Sequence, residues 1–332
     1  MPRITLIAET NSLLSIVMGA ADTFMTANFS GSPGDEKPPW FETQIVSIDG
    51  KPLTGFGNVS VTPHTSIGAV DETDIILIPG FMPLFDPKAN RSQELVEWLA
   101  YQYGKGTLMC SVCTGAFLLA ETGLLDGKTA TTNWQFADLF QQTYPDVNLD
   151  INQLIVEDSG MISAGAVTSY LNLCLYIIEK YGSGNVAASC SKTMLIDPNR
   201  HAQTPYLTYR SRKNHEDAPI LEAQEWMETN YSKSILIDDI AQQMGMSSRN
   251  FKRRFKSATG EVPILYRQRI RIEGAKRLLE TTRKTVDEIA FMAGYENSNS
   301  LRKLFKKYTS LSPNSYREKF SRQKMVIAEV PS

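Results

Sequence analysis

Histidine and cysteine are scarce in this 332-residue chain, and no apolar stretch is long. Three histidines (His64, His201, His215) and four cysteines (Cys110, Cys113, Cys174, Cys190) leave little material for a metal centre. Cys110 and Cys113 form a C-x-x-C, but no second cysteine pair or histidine cluster follows, which argues against zinc. Four cysteines in a chain this long do not make a disulfide framework, and they point to reduced thiols in the cytoplasm. The pair reads as one buried strand cysteine beside one exposed at a turn, with a redox pair as the alternative. The longest apolar runs, such as TDIILIPGF and LNLCLYIIE, are far too short to cross a bilayer. The N-terminal MPRITLIAET has one arginine, and its short apolar run meets Glu9, which reads as a first strand and not a signal peptide. No metal or cofactor is expected.

The composition is otherwise that of a globular protein with a sizeable core, 42% hydrophobic and 21% charged, and the length favours two domains. The net charge of −2 hides an asymmetry. Residues 1–219 carry 13 Lys+Arg against 23 Asp+Glu, and residues 220–332 carry 21 against 13. An acidic half joined to a basic half implies different partners, a polyanion for the basic one.

Residues 1–195 alternate strand-like and helix-like segments. DIILIPG is a continuous β-branched run of the kind found in central parallel strands, and TLMCSVC followed by TGAFLLAETGLL is a strand turning into a helix. The pattern predicts a doubly wound, flavodoxin-like α/β domain, whose ligands sit at the carboxyl ends of the strands, where Cys113 falls. Residues 196–219 lose periodicity and contain three prolines, so they are expected to form a linker. An all-α domain over 220–321 and a tail at 322–332 complete the expected organisation.

The helical half repeats itself. Ile237, Ile240, Ala241 and Gly245 match Val286, Ile289, Ala290 and Gly294 at an offset of 49. Phe251, Phe255, Pro263, Tyr266 and Arg267 match Leu301, Phe305, Pro313, Tyr316 and Arg317 at an offset of 50. Each copy reads as a short helix ended by Gly, a turn to an N-cap at Ser247 or Ser298, and an amphipathic helix with a basic outer face. That is a helix-turn-helix, twice.

Residues ~222–320 resemble the AraC/XylS-type DNA-binding domain, most closely at Tyr308 to Arg317 (YTSLSPNSYR). The resemblance implies that two recognition helices enter successive major grooves of double-stranded promoter DNA. Its base-facing positions fall on Arg249, Lys252 and Arg253 in the first helix, and on Asn299, Arg302 and Lys303 in the second. Arg and Lys can pair with guanine, and Asn with adenine. Ser247, Ser298, Lys256, Lys306 and Lys307 are expected to meet phosphates, which position without specifying.

The first half resembles the ThiJ/PfpI, class I glutamine-amidotransferase-like superfamily at Cys113-Thr114-Gly115, Leu124–Lys128 and Thr131–Trp134. The combination resembles the GlxA-like transcription regulators. Hydrolytic relatives carry His where this chain has Thr114 or Asn133, and a Glu in the first helix that NSLLSIVMGAADTF lacks. A working thiolate needs such a partner, so catalytic residues are not expected. The resemblance implies instead a site for a small-molecule effector at Gly80, Phe81, Cys113, Thr114, Asn133 and Trp134, though Phe81 and Trp134 equally suit core packing. The expected function is a homodimeric, effector-responsive transcription activator, with RNA polymerase as a further contact. The alternative is a Cys113-dependent hydrolase, amidase or redox sensor tethered to a DNA-binding domain.

Overall fold

Short β-branched runs in the first two hundred residues become the strands of one sheet in the computed structural model, which describes residues 1–30, 39–82 and 93–321. The expected tail at 322–332 lies outside the described residues. The chain divides into units Met1–Gln203 and Thr204–Ser332. The first begins with β1 (Arg3–Ile7), α1 (Leu14–Asn28), β2 (Glu42–Ser47) and the short strands β3 (Leu53–Thr54), β4 (Ser60–Val61) and β5 (Thr65–Ser66). It continues through β6 (Ile75–Ile78), α2 (Gln93–Gly104), β7 (Leu108–Val112), α3 (Gly115–Glu121), β8 (Thr129–Ala130), α4 (Ala137–Thr143) and β9 (Asn148–Leu149). It ends with β10 (Ile155–Asp158), β11 (Met161–Ala164), α5 (Ser169–Tyr181) and α6 (Gly184–Thr193).

Among the described residues seven strands form one sheet in the order β10-β11-β7-β6-β1-β2-β5, parallel except for β10 against β11. Alternate side chains feed opposite faces. Ile4, Leu6, Ile75, Leu77, Cys110 and Ile162 join one cluster with α1, α5 and α6. Ile7, Ile76, Ile78 and Met109 join another with α2, α3 and α4. A strand covered on both faces must be apolar throughout, which is why DIILIPG shows no alternation. This is the doubly wound fold expected from the sequence, and β6, β7 and β11 end side by side at its carboxyl edge.

The second unit is helical: α7 (Ala218–Thr229), α8 (Ile237–Gln243), α9 (Ser248–Thr259), α10 (Pro263–Thr281), α11 (Val286–Met292), α12 (Ser298–Thr309) and α13 (Pro313–Phe320). Gly245 and Gly294 adopt φ of +67° and +83° just past α8 and α11, a conformation that costs glycine nothing. The Ser247 hydroxyl caps α9 by accepting the Asn250 N–H. In the second copy the cap is Asn297, not Ser298: its carbonyl oxygen accepts the Ser300 N–H at 2.9 Å. Either side chain offers the acceptor an N-terminus requires.

The aperiodic stretch 196–219 is shared between the units. Its last residue in the first, Gln203, is 2% exposed. From Thr204 onward it belongs to the second, where Asp217 caps α7. Among the described residues no helix is long and apolar enough to cross a membrane.

Candidate functional site

Where β7 ends, the chain turns sharply. Cys113 has φ of +56°, a left-handed conformation uncommon for a side chain with a Cβ. Its N–H donates to Ala164 O at 2.8 Å, and its carbonyl accepts the Thr132 hydroxyl at 2.7 Å. α3 starts against the end of β6. A Cβ on Gly115 would stand 2.5 Å from Pro79 O and 2.6 Å from Ile78 O, so only glycine fits this close approach.

Five of the six expected effector residues gather here. Thr114 Oγ1 accepts the Phe81 N–H at 2.7 Å and donates to Phe81 O at 3.0 Å. Gly80 O accepts the Leu13 N–H, and a Cβ at Gly80 would lie 3.1–3.3 Å from Leu13, Cys113 and Thr114. Asn133 Nδ2 donates to Cys113 Sγ at 3.5 Å, while its Oδ1 accepts the Gln135 N–H at 3.0 Å. Trp134 is half-buried at the start of a 3-10 turn, and Phe81 packs beside the α3 core.

One detail differs from expectation. Cys113 is 1% exposed, not open at the turn. The Phe81 backbone is fully used, its N–H and carbonyl both bonded to the Thr114 hydroxyl. Burial pushes the Cys113 thiol above its ordinary value, against weaker pulls from the Asn133 amide and from Thr114. Among the described residues no histidine, carboxylate or cation belongs to the groups acting on it. His64 accepts the Ile45 N–H through Nδ1, and the His201 carbonyl accepts the Leu154 N–H. Cys110 is buried on the strand, and its thiol is pushed up by burial as well. All four thiols are free, and among the described residues no three His, Cys, Asp or Glu are placed to share a metal ion.

Sequence reasoning missed Gln203. Its side chain lies over Gly165, where any Cβ would collide with it. Its Nε2 faces Thr131 Oγ1 at 3.1 Å, Thr132 O at 3.0 Å, and the Ile151 and Gln153 carbonyls at 3.2 Å. It therefore braces the turn that presents Asn133. Nothing local in the sequence marks it, since it sits in the aperiodic stretch. In the sequence Glu9 shows only as the end of a strand. It accepts the Ile48 N–H at 2.7 Å, and burial raises its carboxyl above the usual range.

In the helical unit, Phe251 and Phe255 turn inward from α9, and Leu301 and Phe305 turn inward from α12. The opposite faces leave Arg249, Lys252, Arg253, Asn299, Arg302 and Lys303 all exposed, with Lys256, Lys306 and Lys307 beside them. Lys252 pairs with Asp238 at 3.0 Å, and Arg253 donates to Asn250 Oδ1 at 3.0 Å. Hydrogen bonds from Ser248 and Lys252 hold the Asp238 carboxyl below its ordinary value.

The chain matches the DJ-1/PfpI family over residues 39–180 and a helix-turn-helix domain family over residues 240–319. It is 23% identical over 314 residues to the HTH-type transcriptional regulator GbdR of Pseudomonas aeruginosa, spanning 94% of this chain and 83% of that one. It is 25% identical over 145 residues to the isonitrile hydratase of Pseudomonas putida, 43% of this chain and 60% of that one. An AraC family transcriptional regulator from Pseudomonas putida superposes with a TM-score of 0.50 at 18% identity, over 58% of this chain and all of that one, a likeness of fold alone. The chain thus joins a DJ-1/PfpI-family domain to an AraC-type helix-turn-helix domain, as the sequence resemblance implied, and it is a DNA-binding transcription regulator.

Proposed function

We propose that the first unit holds a small-molecule effector beside the Cys113 elbow without chemically converting it, and that occupancy changes how the protein engages promoter DNA. The observation that carries the non-catalytic part is the state of Cys113. Its thiol is buried, kept protonated, and faces an amide where a base would be needed. The Gly80 carbonyl, the Phe81 backbone, the Thr114 hydroxyl and the Asn133 side chain are already engaged with one another or with neighbouring groups, so an effector that uses them enters by replacing one of those contacts. The weakest is Asn133 to Cys113 Sγ, at 3.5 Å. The Asn133 amide then serves a carboxylate or carbonyl, and Phe81 and Trp134 form the apolar walls.

On the DNA side, Arg249, Lys252, Arg253, Asn299, Arg302 and Lys303 read base edges, and Lys256, Lys306 and Lys307 neutralise phosphates. The protein works in the cytoplasm as a homodimeric activator that contacts RNA polymerase. The free thiols support the cytoplasmic location, and the basic faces of α9 and α12 support the binding of DNA. Effector control requires different affinities for the DNA-competent and incompetent states.

A thermal-shift panel of amino acids, amines and nitrogen-rich metabolites tests it. A binder raises the melting temperature by mass action, changes operator affinity, and loses both effects in Asn133→Ala. A panel that leaves DNA affinity untouched counts against the sensor. The likeness of the first unit to isonitrile hydratase favours one second reading, a Cys113-dependent enzyme. Turnover of any panel member, abolished in Cys113→Ala, would establish that reading instead.

A further inference from the structure

The two helix-turn-helix copies have separate hydrophobic cores. They share α10, which gives Tyr266 and Ile270 to the first and Ile272, Ala275 and Leu279 to the second. Burial therefore ties each recognition helix to its own part of α10, with no core common to α9 and α12 among the described residues. Residues 204–213, expected from the sequence to be linker, reach both. The Tyr209 ring meets Tyr266 edge-on at 5.9 Å, and its hydroxyl donates to Glu261 in the first copy. The Thr204 hydroxyl donates to Ser310 at the end of α12 at 2.8 Å, and the Tyr206 ring meets Phe320 at 5.3 Å in the second. Arg269 lies between the rings of Tyr209 and Tyr308, 5.3 and 5.7 Å away. Midway, Lys276 is 5% exposed. Its ammonium donates to the Leu207 carbonyl and pairs with Glu273, both at 2.7 Å. A buried charge is tolerated only when paired and hydrogen-bonded in this way, and removing it strands its partners.

We propose that residues 204–213 are a strap that sets the register between α9 and α12, and that Lys276 is the positioning residue that holds the strap in place. This rests on the reading that both helices enter major grooves. Lys276 and the strap leave base recognition to α9 and α12 and act on their relative placement. Helices held at fixed spacing demand half-sites about one helical turn apart, ~34–36 Å. One inserted base pair displaces the second half-site by about 3.4 Å and rotates it by about 34°.

The test uses the full-length protein and a duplex it selects from random sequence. That duplex is compared with versions carrying one base pair inserted or deleted between the half-sites, and with one whose second half-site is scrambled. The wild type is expected to lose about tenfold or more in affinity on insertion, the size of a lost base contact. Lys276→Met and Tyr206→Ala are expected to lose about threefold or less on insertion, Lys276→Arg to restore the wild-type penalty, and all to match wild type on the half-scrambled duplex. Tyr206 is exposed, so its variant tests the strap even where Lys276→Met unfolds, which circular dichroism would reveal. An unchanged insertion penalty in Tyr206→Ala and in folded Lys276→Met overturns the strap. An equal loss on the half-scrambled duplex makes its role merely structural and also overturns it. A wild type indifferent to spacing removes the two-groove reading on which the proposal rests.

Discussion

In the first helix-turn-helix copy Phe255 meets Tyr266 edge-on at 5.1 Å and 81°; in the second Phe305 meets Tyr316 at 5.2 Å and 83°. Thr259 and Thr309 each donate to the carbonyl four residues back at 2.7 Å, and each tyrosine hydroxyl ends on a glutamate, Glu228 or Glu280. Around these common cores the periphery differs. Ser247 caps one recognition helix and Asn297 the other. Gly260 takes the left-handed position after α9, where Ser310 takes it after α12. Close packing admits few side-chain solutions, so the core repeats in detail. A cap needs only an acceptor and a surface only charge, so those positions are free to diverge.

The largest break in this comparison comes from the core. Phe255→Ala and Phe305→Ala should each cost about 3–5 kcal/mol in urea unfolding. Because the two residues lie in separate clusters, the double variant should equal the sum within about 0.5 kcal/mol. A large coupling term would mean that the cores are not separate. On the surface, Arg253→Ala should lower affinity for the selected DNA by about 1–3 kcal/mol and relax its sequence preference. Lys307→Ala should weaken cognate and scrambled DNA alike and reduce the salt slope by about 1. Equal losses on both DNAs for Arg253→Ala would remove it from base reading.

The contrast extends to the first unit through its thiols. The folded Cys113 thiol keeps its proton above the ordinary value of 9.0, whereas the unfolded chain releases it there. Its contribution is therefore complete below about pH 9 and declines above it, by up to about 1.4 kcal/mol per pH unit. Calorimetry between pH 8 and 10 should show a shallower decline in Cys113→Ala. Steeper loss in that variant would contradict a buried, protonated thiol. The smallest effects belong to the helix ends. Gly260→Ala should destabilise by about 1 kcal/mol, because none of the described residues crowds the position and its φ of +85° resists a side chain. Ser310→Gly relieves a similar strain but gives up the Thr204 hydrogen bond, worth about 1 kcal/mol, so the net change should stay within about 0.5 kcal/mol.

Much of this fold was legible from residue patterns. The unbroken apolar run at Ile75–Ile78 announces a strand covered on both faces, and the offset repeat from Ile237 to Arg317 announces duplicated helix pairs. Both signals are local, and both arise because burial must recur with the period of the backbone. The strand-to-helix corner at Cys113 is legible in Thr-Gly-Ala after it, whereas its left-handed backbone and the close approach of Gly115 to β6 emerge only in the folded chain. Its exposure was not legible. Whether a turn residue meets water depends on what packs over it, here Asn133 from another segment twenty residues away. The cap at Asn297 was misplaced by one residue because either of two adjacent polar side chains could serve.

By itself the sequence determined the two-part organisation, the sheet class and the doubled DNA-binding module. Each is written in residue type and period. The tertiary structure alone decided that Gln203 braces the Asn133 turn and that residues 204–213 clasp both helix-turn-helix copies. Those roles come from side chains meeting backbone carbonyls and rings far along the chain, Gln203 at Thr132 and Lys276 at Leu207. A polar or aromatic residue in an aperiodic stretch carries no mark of its distant partner. Only the folded packing shows that these contacts give partners to the buried Lys276 ammonium and the Gln203 Nε2, which would otherwise be costly to bury.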